Sequence, residues 1–240
     1  MAKRKPRPKS SGRASRRASH RAAPRRAASG QARMEEPGSL IARSSQEIAR
    51  QLLKVFRLVE VKQQNVIEEA QARGLRVDTL ADLHAIPLEK RDALATTFIK
   101  TAKIWATSNG ASLGAAGVVT MAADVAALVG VNLRLIQHVC LSYGVPSLPD
   151  RIDAWGLLLA ALGEEINLAE LRAIPDDARR RVVTERLVAD TARAFARRLL
   201  GGRGAGRAVP IVGAVFGGLS NYAFTVEVGS RAREFYRSLA

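Results

Sequence analysis

Between Ile104 and Pro149 the chain holds one aspartate, Asp124, and one arginine, Arg134, with no other Asp, Glu, Lys or Arg. A carboxylate in apolar surroundings can carry a raised pKa and act as an acid or base. It can equally be a buried structural anchor, or a polar foothold in a segment that enters a membrane. General acid–base chemistry needs further groups, and the sequence around Asp124 offers no second carboxylate. Arg134 cannot simply pair with it along one helix, because the intervening length spans about 15 Å and leaves the side chains about 80° apart around the axis. A partner must come from another segment, such as Arg231, or Asp124 must cap a helix. Capping stabilises by about 1 kcal/mol, whereas an unpaired buried carboxylate costs much more. The expectation is therefore structural: Asp124 at or near the start of a helix running toward Tyr143, where it satisfies orphan N–H groups and complements the dipole. Asn221 is expected to cap a later helix in the same way. On this account Asp124→Leu lowers thermal stability and Asp124→Asn is tolerated.

Other chemistries find little support. The three histidines, His20, His84 and His138, lie far apart, and none has a Cys or His partner at zinc spacing. There is no phosphate-binding G-x-x-x-x-G-K-[ST], no G-x-S-x-G elbow and no H-E-x-x-H. The run GGRGAGR (Gly201 to Arg207) resembles a phosphate loop only superficially, since its glycines do not fit G-x-G-x-x-G and it follows a helical pattern. It reads as a flexible joint. No catalytic residue, metal site or cofactor is expected, and the protein is read as non-enzymatic. The single cysteine, Cys140, rules out an intramolecular disulfide framework and fits a reducing compartment.

The elements that must carry these residues read as helices. Ser45 is followed by Ile48, Leu52, Val55, Phe56, Val59, Val66, Ile67 and Ala70, spaced to put one apolar stripe toward a core, with Gly74 as the stop. A short irregular segment, LRVDTLADLHAI, leads to Pro87, placed just inside a second helix. There Leu94, Ala95, Phe98, Ile99, Ala102 and Trp105 repeat the helical period up to Asn109–Gly110. The segment around Asp124 follows, and PSLPDR breaks the chain after it. IDAWGLLLAALGEEI reads as a further apolar helix, and Pro175 opens a charged one through Leu200, with Val182, Leu187, Ala194 and Leu199 among its apolar positions. No run of alternating strands appears. The fold class is all-α, a multi-helix bundle built around two glycine-rich apolar helical hairpins.

The formal charge of +16 is unevenly placed. Twelve basic residues and no acid fall within residues 1–33: Lys3, Arg4, Lys5, Arg7, Lys9, Arg13, Arg16, Arg17, Arg21, Arg25, Arg26 and Arg33. The remainder of the chain, with 26 basic and 22 acidic residues, is nearly ordinary. Residues 2–33 contain no Leu, Ile, Val, Phe or Trp, so they cannot bury enough apolar surface to offset ordering entropy. The same lack removes the apolar h-region of a secretory signal and the apolar face of a transit peptide. Residues 1–38 are thus expected to be a disordered polybasic tail, and residues 39–240 an all-helical domain. Such a tail is a solubilising appendage, or an arm for anionic lipid or nucleic acid whose contacts are salt-sensitive and independent of sequence.

Two apolar segments share one build. Gly110, Gly114 and Gly117 precede Asp124, with Arg134 ten residues on; Gly213, Gly217 and Gly218 precede Asn221, with Arg231 ten residues on. Small residues four apart let helix backbones approach closely, and Gly110/Gly114 and Gly213/Gly217 are spaced that way. They are equally the glycines of helix ends and turns. Gly114, Gly117, Asp124, the triplet Asn132–Leu133–Arg134 and Tyr143–Gly144, followed by Pro210, Gly213, Ala214, Gly217 and Asn221, resemble the EcsC protein family over about residues 45–239. The basic tail lies outside the family pattern. The resemblance implies a bacterial protein and brings no catalytic residue. It also implies a link to an ABC transporter, since the family takes its name from an operon that encodes one.

Residues 208–226 are nineteen without a charge, long enough to span a bilayer, but they include Pro210, Ser220, Asn221, Tyr222 and three glycines. The first segment is longer and is interrupted by Asp124, which costs about 2.5–3.5 kcal/mol at mid-membrane. Central helices of a soluble bundle are also apolar nearly all round. The expectation is a protein peripheral to the cytoplasmic face of the inner membrane, with the tail tethered to anionic lipid. A nucleic-acid-associated protein using the same arm, or an integral membrane protein, is the alternative.

Overall fold

In the computed structural model, which describes residues 37–112, 117–148, 150–201 and 210–240, every regular element is a helix. In chain order these are α1 (Pro37–Leu58), α2 (Gln63–Ala72), α3 (Leu80–Ala85), α4 (Leu88–Ser112), α5 (Gly117–Ser142), α6 (Ile152–Ala161), α7 (Leu168–Arg172), α8 (Asp177–Gly201) and α9 (Pro210–Ser238). All of them fall in one compact unit, Glu35–Ala240. The twelve basic residues of the N-terminal tail, Gly114 and Arg207 lie outside the described residues.

The centre is α5. It packs against α1, α4, α6 and α9, and from Ala122 to Tyr143 it contributes Val125, Val129, Leu133, Ile136 and Val139 to the core. That surround explains why its sequence is apolar on nearly every face. Burying each such side chain contributes about 1.5–3 kcal/mol, which holds a helix with almost no charged surface. The helix α6 is buried from Ile152 through Ala160 and sits under α7 and α8. Close contact is set partly by a missing side chain: at Gly130, a β-carbon would stand 3.0 Å from Val55 Cγ1 of α1.

Several boundaries differ from those read in the sequence, each for a local reason. The stripe from Ile48 to Ala70 is two helices. The chain leaves helical geometry at Val59–Lys62, where the Val61 N–H donates to Gln137 Oε1 of α5 at 3.1 Å. Beyond this break Val66, Ile67 and Ala70 join Val77, Leu83, Leu94 and Leu141 in a second, smaller core. The segment after Gly74 contains α3, started by Thr79, whose hydroxyl accepts from the Asp82 N–H while Asp82 Oδ2 accepts from the Thr79 N–H. This is a reciprocal cap of the T-x-x-D kind. Pro87 stands just before α4 and its carbonyl accepts from Lys90 and Arg91; α4 then continues past Asn109–Gly110 to Ser112. Asn167 caps α7, another short helix absent from the sequence reading. Pro175 likewise precedes its helix, which opens at Asp177 and ends at Gly201. Two residues on the expected apolar stripes face outward: Trp105 is 60% and Val182 67% exposed.

Candidate functional site

The five polar residues singled out by sequence do not meet in one site. Asp124 lies about two turns inside α5 and is not a cap. Its side chain is partly exposed, yet Oδ1 is buried without a hydrogen-bonding partner, and burial raises its pKa above the usual carboxylate value of 3.8. Capping fails because α5 begins at Gly117, further toward the glycine-rich turn than the polar residue that was expected to start it. Asn221 is likewise inside α9, which starts at Pro210. Arg231 pairs with Glu227 on its own helix at 2.5 Å, so it is not the partner of Asp124. Arg134 is exposed, and its carbonyl lies 2.9 Å from His138 Nδ1. Asn132 does bridge the two glycine-rich segments: its amide donates to the Leu128 carbonyl at 2.8 Å and to Thr225 Oγ1 of α9 at 3.3 Å.

The stability consequence for Asp124 reverses the sequence-based expectation. A raised folded pKa means that the native state favours the protonated form. The contribution is fully present below the unfolded value and is lost as pH rises through the folded one. Asp124→Asn is therefore expected to gain stability relative to wild type as pH is raised from acid to neutral, and Asp124→Leu to raise the neutral-pH melting temperature. Melting curves across that range check it. A neutral-pH loss in Asp124→Asn would show that the carboxylate is paired in solution.

Strong polar geometry gathers elsewhere, around Asp153 at the start of α6. Its Oδ2 accepts from Arg172 of α7 at 2.5 Å and from the Tyr236 hydroxyl of α9 at 2.9 Å, and its Oδ1 accepts from the Ala154 N–H at 2.9 Å. Burial, followed by the charge of Asp153, holds the Tyr236 hydroxyl protonated well above its usual range. The same two causes push the Cys140 thiol, beside them on α5, up to about 12. Cys140 is therefore a neutral packing group that points its sulfur at the Val145 carbonyl, 3.2 Å away. A second polar corner joins α4, α5 and α9. The Tyr143 hydroxyl donates to Asp92, Arg237 approaches Asp92 at 3.6 Å, and Arg91 donates to the Tyr143 carbonyl at 3.2 Å.

These clusters tie helices together. Asp153 is 2% exposed and its oxygens are occupied by partners within the fold. Among the described residues no group of three His, Cys, Asp or Glu stands close enough to hold a metal ion. A shallow cleft of about 700 Å³ lies between the α7 approach and the end of α9, lined by Glu165, Ile166, Asn167, Leu168, Phe235 and Leu239. It brings no pair of titratable groups together. The stretch Ala122–Ser142 is long and apolar enough to cross a membrane, but 78% of its most apolar window is buried inside the bundle. Being enclosed by other helices accounts for its composition.

Asp153, Arg172 and Tyr236 were missed in the sequence. The signal was present in IDAWGLLLAALG, a lone carboxylate in an apolar helix, the same anomaly that drew attention to Asp124. Its arginine partner is nineteen residues away on a helix too short to show a period.

Residues 38–238 match the family model described as the EcsC protein family. A curated relative, "Uncharacterized protein YdbA" of Bacillus subtilis (strain 168), is 29% identical over 113 residues, which is 46% of this chain. The matched part spans 37% of that relative's length. No solved structure matches the chain.

Proposed function

The chain belongs to the EcsC protein family, and we propose that it is a non-enzymatic protein working at an anionic membrane surface, tethered there by its basic N-terminal stretch. The observation that carries this reading is the confinement of twelve Lys and Arg, with no acid, to residues 1–33. Basic residues near an anionic surface contribute about 1 kcal/mol each, and salt screens the attraction. Twelve such residues greatly exceed what reversible tethering requires. An ABC transporter in the same membrane is the partner that the family's name brings with it.

Co-sedimentation with vesicles tests the tether. The full chain is expected to pellet with mixed phosphatidylcholine and phosphatidylglycerol vesicles at low salt, and much less with phosphatidylcholine alone. Deleting residues 1–33, or raising salt, is expected to remove the difference. Equal binding to both vesicles, or an unchanged preference after the deletion, would defeat the reading. Gel shifts with RNA and DNA distinguish the competing partner of the same arm. Nucleic-acid binding that depends on residues 1–33, without a preference for anionic vesicles, would replace the membrane with nucleic acid.

A further inference from the structure

One narrow side of α5 is left uncovered by the other helices, and it carries both charges of that helix. From Ala122 to Tyr143 every residue is buried except Ala123, Asp124, Ala127, Val131, Arg134 and His138. From Asp124 to His138 these residues follow at alternating steps of three and four, which places them on one face. The opposite side of α5 meets α9, through Asn132 and Thr225. One flank of the open face is α1, where Val55 stands against Gly130 and the Val61 N–H donates to Gln137. The other flank is α4. It runs antiparallel to α5, since Phe98 stacks on His138 at 4.3 Å and Asp92 accepts from the Tyr143 hydroxyl.

The two charges on this face are of opposite sign and find no counterion within the chain. Asp124 is partly exposed and its Oδ1 has no hydrogen-bonding partner; Arg134 is exposed and forms no ion pair among the described residues. They stand about 15 Å apart along the helix, beyond each other's reach. A second helix carrying the same two charges in reversed order satisfies both at once, and an antiparallel copy of α5 is such a helix. Setting Asp124 opposite Arg134 of the copy also sets Ala127 opposite Val131 of the copy, because both pairs are centred on the level of Val129. The three-four spacing is that of a helix–helix seam, and the small Ala127 lets the two backbones approach closely.

We propose that two copies of the chain pair through this face, their α5 helices antiparallel about a two-fold axis level with Val129, with Asp124 of each copy against Arg134 of the other. Such a contact is self-complementary, as a two-fold interface must be. The flanks agree with it. Trp105 is seven residues after Phe98 and so on the same side of α4; the antiparallel register brings it level with Val131, near the axis, and it is 60% exposed. On the other flank Leu58 ends α1 beside Val59, which packs toward Gly130, and it is 76% exposed. Pairing covers both apolar side chains. The inference is independent of the membrane reading. It also makes the effect of Asp124→Asn depend on concentration: the gain in neutral-pH stability belongs to the single chain and is lost once dimers pair the carboxylate.

Sedimentation of the full chain across the micromolar range, at physiological ionic strength, reads the dimer. Arg134→Glu, a change at an exposed position, is expected to weaken it about tenfold or more, since both ion pairs become like-charge contacts. Asp124→Arg is expected to do the same. Mixing the two variants restores opposite charges at both contacts, so a dimer holding one of each is expected to form as tightly as wild type. Damage to the fold by either change cannot produce that recovery. Should Asp124→Arg fail to fold, oxidation of Ala127→Cys mixed with Val131→Cys takes its place. The two variants are expected to cross-link to each other and neither to itself, because like residues are offset by about 6 Å along the seam. The native Cys140 is buried and stays out of the reaction. A chain that remains monomeric throughout, or a dimer that Arg134→Glu leaves unchanged, would overturn the proposal. Cross-linking of either cysteine variant to itself as readily as to the other would overturn the antiparallel register.

Discussion

Asp153→Ala should lower the unfolding free energy by about 3–5 kcal/mol, because removing one partner of a buried ion pair leaves the other charge without its counterion. Arg172 retains some solvent, with its side chain 19% exposed, which favours the lower half of that range. The Tyr236 hydroxyl loses its acceptor in the same change, and it is buried. Four elements register the loss, since α6 carries the carboxylate, α7 and α9 supply its two side-chain partners, and α5 places Cys140 beside them. Urea unfolding with unchanged m-values measures the effect. In a double-mutant cycle, Asp153→Leu with Arg172→Leu is expected to recover a substantial part of what either change alone removes. Strict additivity would mean that the two side chains do not interact in solution and that the ion pair contributes nothing.

What the sequence showed depended on the range of the interactions involved. Helical period in α1, α4 and α8 is a repeated local signal, and it places Ile48, Leu52, Leu94, Leu187 and Ala194 in the core as expected, while Trp105 and Val182 on the same stripes face outward. The break at Val59–Lys62 is set by Gln137, 76 residues away, and no local pattern could announce it. The caps of α3 and α7 were legible in principle, as Thr79 with Asp82 and Asn167 with Glu170, but helices of six and five residues show too few turns to display a period. The polar residues divide in the same way. A lone carboxylate in an apolar helix can be seen in one sequence; whether it is met by an arginine, as Asp153 is, or left with an orphan oxygen, as Asp124 is, depends on helices it has yet to pack against. The Asn132–Leu133–Arg134 triplet separates by helical geometry alone, Asn132 turning into the core and Arg134 outward to solvent.

Gly144→Ala is expected to cost about 2–4 kcal/mol, combining a left-handed backbone with a steric conflict. Gly144 ends α5 at φ +74°, with its N–H donating to the Leu141 carbonyl at 2.9 Å and the Val145 N–H to the Cys140 carbonyl at 3.2 Å. An added β-carbon would stand 2.6 Å from the His84 backbone nitrogen and 2.6 Å from its β-carbon, closer than such atoms tolerate. Backbone and β-carbon of His84 cannot swing aside as the tip of a long side chain would, so α3 or the end of α5 has to move. Moving it disturbs Tyr143, which donates to Asp92 through its hydroxyl and accepts from Arg91 through its carbonyl. The Tyr143–Gly144 pair thereby has a physical reason: one residue fastens the end of α5 to α4, and the next lets the chain pass His84. Gly74→Ala is the control. It has a similar φ of +77° with nothing within 4 Å of an added β-carbon, so only the backbone term of about 1 kcal/mol applies. Equal losses in the two variants, measured by thermal or urea unfolding, would show that contact with His84 contributes nothing and that backbone conformation alone selects glycine at both turns.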